Sequence, residues 1–261
     1  MKKYLAFLVA LTTAAGASAQ RPYAIHSHND YDHIAPFWEA YSQHCASIEA
    51  DVYLQDDLIL VAHNRKDIRP ERNLRDLYFE PVALLFRSHG GKMWEDSDQR
   101  LQLVIDLKEP QALPGVLALA REYPDVFTGD NGVQLLIGGE MPASLVYDDY
   151  PSWVWFIARF SKDGKLNYTP AQLKRIAVVS ANFRQFAPAW DGKGEITDSE
   201  RDAVVAAIRQ AHEAGKPIRF WNTPRGDLVY QTLYQLGADV INTDHPARCA
   251  AFFKKLTAGN P

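Results

Sequence analysis

The chain has 261 residues, 47% hydrophobic and 23% charged, with 28 Lys and Arg against 32 Asp and Glu, a formal net charge of −4. That composition excludes disordered and collagen-like classes, and two cysteines cannot staple a small disulfide scaffold. The mild acidic balance leaves no basic footprint for nucleic acid, so none is expected as a partner, and an anionic substrate would need a local device to hold it.

Residues 1–19 read as a secretory signal peptide. Lys2-Lys3 give the positive start, residues 4–15 are largely apolar, and Ala17-Ser18-Ala19 forms a small-residue cleavage site before Gln20. No Cys follows those small residues, which argues against a lipoprotein. Cleavage after Ala19 removes two lysines and no acids, leaving 242 residues with a net charge of −6. No later stretch has the ~20 apolar residues of a membrane span. The expectation is a secreted or periplasmic monomer without stable membrane insertion, with one domain over residues 20–261.

Eight short apolar runs follow, at 23–26, 47–53, 101–107, 133–138, 153–160, 176–181, 217–221 and 238–242. Runs such as Leu103-Val104-Ile105 and Ala177-Val178-Val179 are continuously apolar, as in strands covered on both faces. Helical patterns intervene. Residues 36–45 begin at Pro36 and carry Phe37, Ala40 and Tyr41. At 198–215, Thr197 and Glu200 form a capping-box pattern, Ala203, Val204, Ala207, Ile208 and Ala211 form a stripe, and Gly215 stops the helix. Residues 226–236 and 247–256 complete the series. Alternating strands and helices predict an α/β fold with a parallel sheet, and eight units predict a single (β/α)8 TIM barrel. One more apolar run, 58–62, follows the turn-like Gln55-Asp56-Asp57 and predicts a hairpin ending at His63. Such a barrel puts Cys45 and Cys249 at opposite ends of neighbouring helices, so two buried free thiols are expected rather than a bridge.

The chemistry of such a barrel sits at the C-terminal ends of its strands. Those ends carry His26-Ser27-His28-Asn29-Asp30, Glu49 and Asp51, His63, Asp106 with Lys108, Glu140, Arg159, Asn182 and Arg184, Arg219 with Trp221 and Asn222, and Asn242 with Asp244. Glu49 and Asp51, two apart on one strand, point to one face, and Asp106 ends the adjacent strand. Like charges ~4 Å apart repel by about 4 kcal/mol at an effective dielectric of roughly 20. Protons, barrel arginines or a cation must offset them. Three carboxylates with water suit Mg2+ or Ca2+ better than zinc. Arg219 and Trp221 share a face and are candidate substrate contacts. The aromatic segment 147–160 either lines the mouth or packs in the barrel. Asp30, Asp32, His33 and His44 read as loop and helix surface with no catalytic role.

His26, then Ile48-Glu49-Ala50-Asp51-Val52, then Val61-Ala62-His63, resemble the glycerophosphodiester phosphodiesterase pattern, in a superfamily with phosphatidylinositol-specific phospholipase C and the spider-venom sphingomyelinase D enzymes. Leu107-Lys108 after Asp106, Phe220-Trp221, and Gly237-Ala238-Asp239-Val240-Ile241-Asn242-Thr243-Asp244 resemble later strands of that family, so the likeness spans nearly the whole mature chain. The opening His26-Ser27-His28-Asn29-Asp30-Tyr31 is similar to a secreted branch with a His-x-His-Asn-Asp-Tyr stretch. The resemblance implies one divalent cation, Mg2+ or Ca2+, on Glu49, Asp51 and Asp106. It makes His26 and His63 the acid/base pair and gives Lys108 the phosphate. It also puts His28, Asn29, Arg219 and Trp221 beside the substrate, a small phosphodiester or phospholipid headgroup. Ser27 and His28 stand where many relatives carry Arg and Gly, and Asp106 replaces their Glu.

Two other readings exist. His26-x-His28 also opens zinc hydrolases of the amidohydrolase type, but those need further histidines, and the fifth and sixth runs have none. A catalytically inert barrel acting as a binding protein would be expected to have lost one of His26, Glu49, Asp51, His63 and Asp106, and all are present.

Overall fold

The computed structural model describes residues 23–128 and 132–258. The expected signal peptide lies outside them. The strands are β1 (Ala24–Ser27), β2 (Ser47–Gln55), β3 (Leu58–Val61), β4 (Gln102–Leu107), β5 (Gln134–Gly139), β6 (Val154–Ala158), β7 (Ile176–Asn182), β8 (Ile218–Trp221) and β9 (Val240–Thr243). They run in the order β1-β9-β8-β7-β6-β5-β4-β2-β3, and a further β1–β2 pairing closes eight parallel strands into a barrel. β3 is the exception, pairing antiparallel with β2 as the predicted hairpin. Helices α1 (Trp38–Ser42), α2 (Glu80–Ser88), α3 (Ala112–Arg121), α4 (Pro124–Phe127), α5 (Pro170–Leu173), α6 (Asp198–Glu213), α7 (Asp227–Leu236) and α8 (Pro246–Ala258) cover the outside. This is the (β/α)8 TIM barrel that the alternating pattern predicts.

Alternation along the strands sorts two cores. On β2 and β4, Ile48, Ala50, Val52, Leu103, Ile105 and Leu107 join the large outer core under the helices. The intervening Glu49, Asp51, Val104 and Asp106 therefore face inward. Val104, Leu136, Ile157 and Val178 form a separate small cluster inside the barrel. It plugs the interior, so polar side chains gather towards the C-terminal mouth. Register sets their levels. Asp51 is the direct neighbour of Asp106, Asp106 of Gly138, and His26 of both Ser47 and Asn242.

Local signals worked in part. The Thr197 side chain caps α6 as expected. Glu200, however, turns to the N–H groups of Ala189 and Trp190 at 2.8 and 3.1 Å, pinning the preceding loop to the helix. The first helix is shorter than expected because Phe37 has φ +69° and cannot belong to it. Gly237, in the left-handed conformation, ends α7. Both cysteines are buried and free. Burial, and then Cys249, pushes the Cys45 thiol up. Among the described residues no helix is long and apolar enough to cross a membrane.

Candidate active site

A cavity of about 690 Å3 opens at the C-terminal ends of the strands, and His28, His63, Glu49, Asp106, Lys108, Arg219 and Trp221 all line it. Its lower layer is a buried charge network. Arg219, on β8 and 5% exposed, donates to Glu49 Oε2 at 3.0 Å and to Asn242 Oδ1 at 3.2 Å. His26 is wholly enclosed beneath the cavity. Its Nδ1 meets Ser47 Oγ at 2.7 Å, and its Nε2 contacts the Arg219 guanidinium and Glu49 Oε2. Burial and then the Arg219 charge lower the His26 pKa to about 3, so this ring is neutral. Burial works against the Glu49 charge, but Arg219 and the two histidines outweigh it and hold the carboxyl well below its ordinary range.

The upper layer is open. His28 Nδ1 lies 2.7 Å from Asp244 Oδ1, and its Nε2 lies 3.6 Å from Glu49 Oε1. A carboxylate on Nδ1 fixes that nitrogen as the N–H and leaves Nε2 as the working atom. Burial opposes the charged ring, but Asp244 and Glu49 together raise the His28 pKa above its ordinary value. His63 repeats the arrangement, with Nδ1 3.0 Å from Asp51 Oδ2. Tyr31 locks that pair, its hydroxyl lying 2.7 Å from Asp51 Oδ2 and from Asn29 Oδ1 and 3.1 Å from His63 Nδ1.

Lys108 stands among the remaining acids, its Nζ 2.5 Å from Asp51 Oδ2 and 2.8 Å from Asp106 Oδ2. Burial alone would lower its pKa, but the charges of Asp106 and Asp51 raise it. Arg219 and Lys108 thus supply, from within the chain, part of the positive charge that three inward carboxylates demand. Among the described residues no three acidic or histidine side chains already close round a common point. The donors still suit a hard divalent cation. Asp51 Oδ1 is buried with no hydrogen-bond partner, and the Lys108 ammonium stands between two carboxylates as a cation would. A Cβ at Gly138 would come within 3.0 Å of Asp106 Oδ1, so the glycine keeps room for that carboxylate.

The sequence-predicted residues therefore divide. His28, Asn29, Glu49, His63, Asp106, Lys108, Arg219 and Trp221 line one cavity, Asp51 is buried against His63 and Lys108, and His26 is fully buried beside Glu49 and Arg219. Asp30 is not surface. It is fully buried and accepts from Ser27 Oγ at 2.9 Å and Tyr78 OH at 3.0 Å, bracing the β1–α1 loop. Tyr31 and Asp244 had no assigned role. The only sequence signal for them was their place in the His-x-His-Asn-Asp-Tyr stretch and at the last strand end.

Fold and inward polar layers define a (β/α)8 barrel with a polar site at the C-terminal ends of its strands. The fold matches a glycerophosphodiester phosphodiesterase from Parabacteroides distasonis with a TM-score of 0.54 at 12% identity, over 92% of this chain and 96% of that one. It matches a Ca2+-dependent phosphatidylinositol-specific phospholipase C from Streptomyces antibioticus with a TM-score of 0.55 at 10% identity, over 88% and 95%. The AIM6-like phosphodiesterase domain family matches residues 17–120. Altered inheritance of mitochondria protein 6 of Eremothecium gossypii is 33% identical, over 84% of this chain and 67% of its own length. The Arthroderma benhamiae homolog is 25% identical, over 89% and 84%. The chain belongs to the altered inheritance of mitochondria protein 6 family.

Proposed function

We propose that this protein hydrolyses phosphodiesters with His28 and His63 as its acid/base pair. One observation carries the reading: both imidazoles hold a carboxylate on Nδ1, and both residues line the same cavity. Phosphodiester cleavage needs one proton acceptor for the attacking hydroxyl, one donor for the leaving oxygen, and positive charge for the non-bridging oxygens. The two Nε2 atoms meet the first two needs, and Arg219 and Lys108 the third. In this scheme His26, given the acid/base role on sequence resemblance, acts instead as a positioning residue, its ring lying fully buried beneath the cavity.

A divalent ion, Mg2+ or Ca2+, would be held by Glu49, Asp51 and Asp106 and would add charge beside the phosphoryl oxygens. The buried, unpartnered Asp51 Oδ1 supports that assignment. The substrate in this reading is a glycerophosphodiester or a phospholipid-type headgroup, met by a monomer in a periplasm or outside the cell. The export pattern of residues 1–19 supports the location.

Purified protein is expected to hydrolyse bis(p-nitrophenyl) phosphate, to lose that activity in EDTA, and to regain it with Mg2+ or Ca2+. The same ion should raise the melting temperature of the wild type but not of Asp51→Asn. Full activity after exhaustive chelation, with no thermal shift, would remove the ion from the scheme.

A further inference from the structure

Two charges on the cavity wall have no part in this scheme. Glu140 directly follows β5 and Arg159 directly follows β6, and these neighbouring strands bring both residues to the same cavity as the histidines. Both residues are exposed, where an ion pair would gain little, so each is left available to a ligand. Among the described residues, these side chains form no ion pair or hydrogen bond with each other or with any other group.

Their backbones, by contrast, are fixed. Arg159 donates its N–H to the Tyr168 hydroxyl at 3.0 Å, and Glu140 donates its N–H to the Leu107 carbonyl at 2.7 Å. Gly139, with φ +67°, makes the second contact possible, because a Cβ there would fall 2.1 Å from that carbonyl oxygen. The other charged pair of the rim is already matched: Arg225 and Asp244 meet at 3.0 Å. Glu140 and Arg159 are therefore an acidic and a basic side chain, unpaired with each other, on anchored backbone at one cavity.

Position identifies the part of a substrate they would meet. β6 is the fifth barrel strand and stands across the mouth from β1, which carries His28. A phosphodiester whose phosphorus sits by His28, His63 and Lys108 sends one of its two alcohols towards β5 and β6. Trp221, 39% exposed, lines the same cavity from the end of β8. A polyol alcohol would leave both charges unmatched, and an amino alcohol would leave Arg159 unmatched.

We propose that Glu140 and Arg159 receive the α-ammonium and the carboxylate of a zwitterionic alcohol, so that the substrate class is the phosphodiesters of serine-type hydroxy amino acids. This rests on the phosphodiesterase reading of the same cavity. In the reaction, water oxygen bonds to phosphorus and the bond from phosphorus to the amino acid's oxygen breaks. One water proton passes to that leaving oxygen, and the products are a phosphomonoester and the free hydroxy amino acid.

The test is a rate comparison on the full-length protein with bis(p-nitrophenyl) phosphate and with glycerophosphoserine, glycerophosphoethanolamine and glycerophosphoglycerol. The serine diester should lead the glycerol diester by about tenfold or more in kcat/KM, because a site built for charged groups rejects analogues lacking them. Arg159→Gln should erase the lead of the serine over the ethanolamine diester. Glu140→Gln should erase the lead of both over the glycerol diester. In each case the loss should appear in KM rather than kcat. A serine diester no better than the glycerol diester, or one whose KM is unmoved by Arg159→Gln, overturns the inference while leaving the phosphodiesterase reading intact. Failure to hydrolyse any diester, bis(p-nitrophenyl) phosphate included, removes the underlying reading itself.

Discussion

His26 and His28 stand two residues apart at the end of one strand, and the fold makes them different chemical groups. His26 is sealed beside Arg219, Glu49 and Ser47, and its pKa is lowered to about 3. His28, two residues on and a quarter exposed, has Nδ1 on Asp244 and Nε2 3.6 Å from Glu49, and both carboxylates raise its pKa. The lower layer neutralises itself and positions; the upper layer leaves proton-carrying atoms facing a cavity. In the proposed reaction, depth in the barrel is what separates the positioning histidine from the working one.

The largest effect that can break this contrast is on turnover. His63→Ala should lower kcat for bis(p-nitrophenyl) phosphate by ~10²–10⁴-fold, the usual worth of a positioned acid or base. The double variant with His28→Ala should fall little further, since residues acting as a unit are not additive. Fully additive losses would show that the two rings do not serve one reaction.

Next in size is the lower layer's hold on stability. Arg219→Met leaves Glu49 buried without its cation and should cost about 3–5 kcal/mol of unfolding free energy. Urea denaturation reads this directly. A loss well under 1 kcal/mol would show that the network is hydrated rather than closed.

The smallest effects are in pH dependence, where two histidines should pull in opposite directions. His26 has a folded pKa below its ordinary value, so its contribution to stability is present above about pH 6.5 and declines as pH falls towards 3. His33, its Nδ1 3.3 Å from Asp30, has its pKa raised to about 9, chiefly by that carboxylate. Its contribution is present below about pH 6.5 and is lost as pH climbs through 9. Melting temperature against pH should form a dome whose alkaline side flattens in His33→Gln. An unchanged alkaline side would place its origin elsewhere.

The barrel was legible because buried parallel strands write themselves as apolar runs, and alternation along β2 and β4 already turned Glu49, Asp51 and Asp106 inward. Depth was not legible. Positions two apart on a strand share a face, so periodicity cannot tell His26 from His28; only the register against Ser47 and Asn242 does. Nor could local pattern reveal partners remote in sequence. Glu49 and Arg219 are 170 residues apart, and Asp30 looked like loop surface because Tyr78, which buries with it, lies 48 residues on. The free charges of Glu140 and Arg159 likewise emerge only once every neighbouring charge has been given its partner.

The most direct measurement is the turnover of bis(p-nitrophenyl) phosphate by His28→Gln and His26→Gln side by side, with thermal melts of both. His28→Gln should lose ~10²-fold or more in kcat at a nearly unchanged melting temperature. His26→Gln should show the reverse balance, a clear loss of stability and the smaller loss of turnover. Wild-type turnover in His28→Gln, with collapse in a stably folded His26→Gln, would contradict the acid/base role of His28.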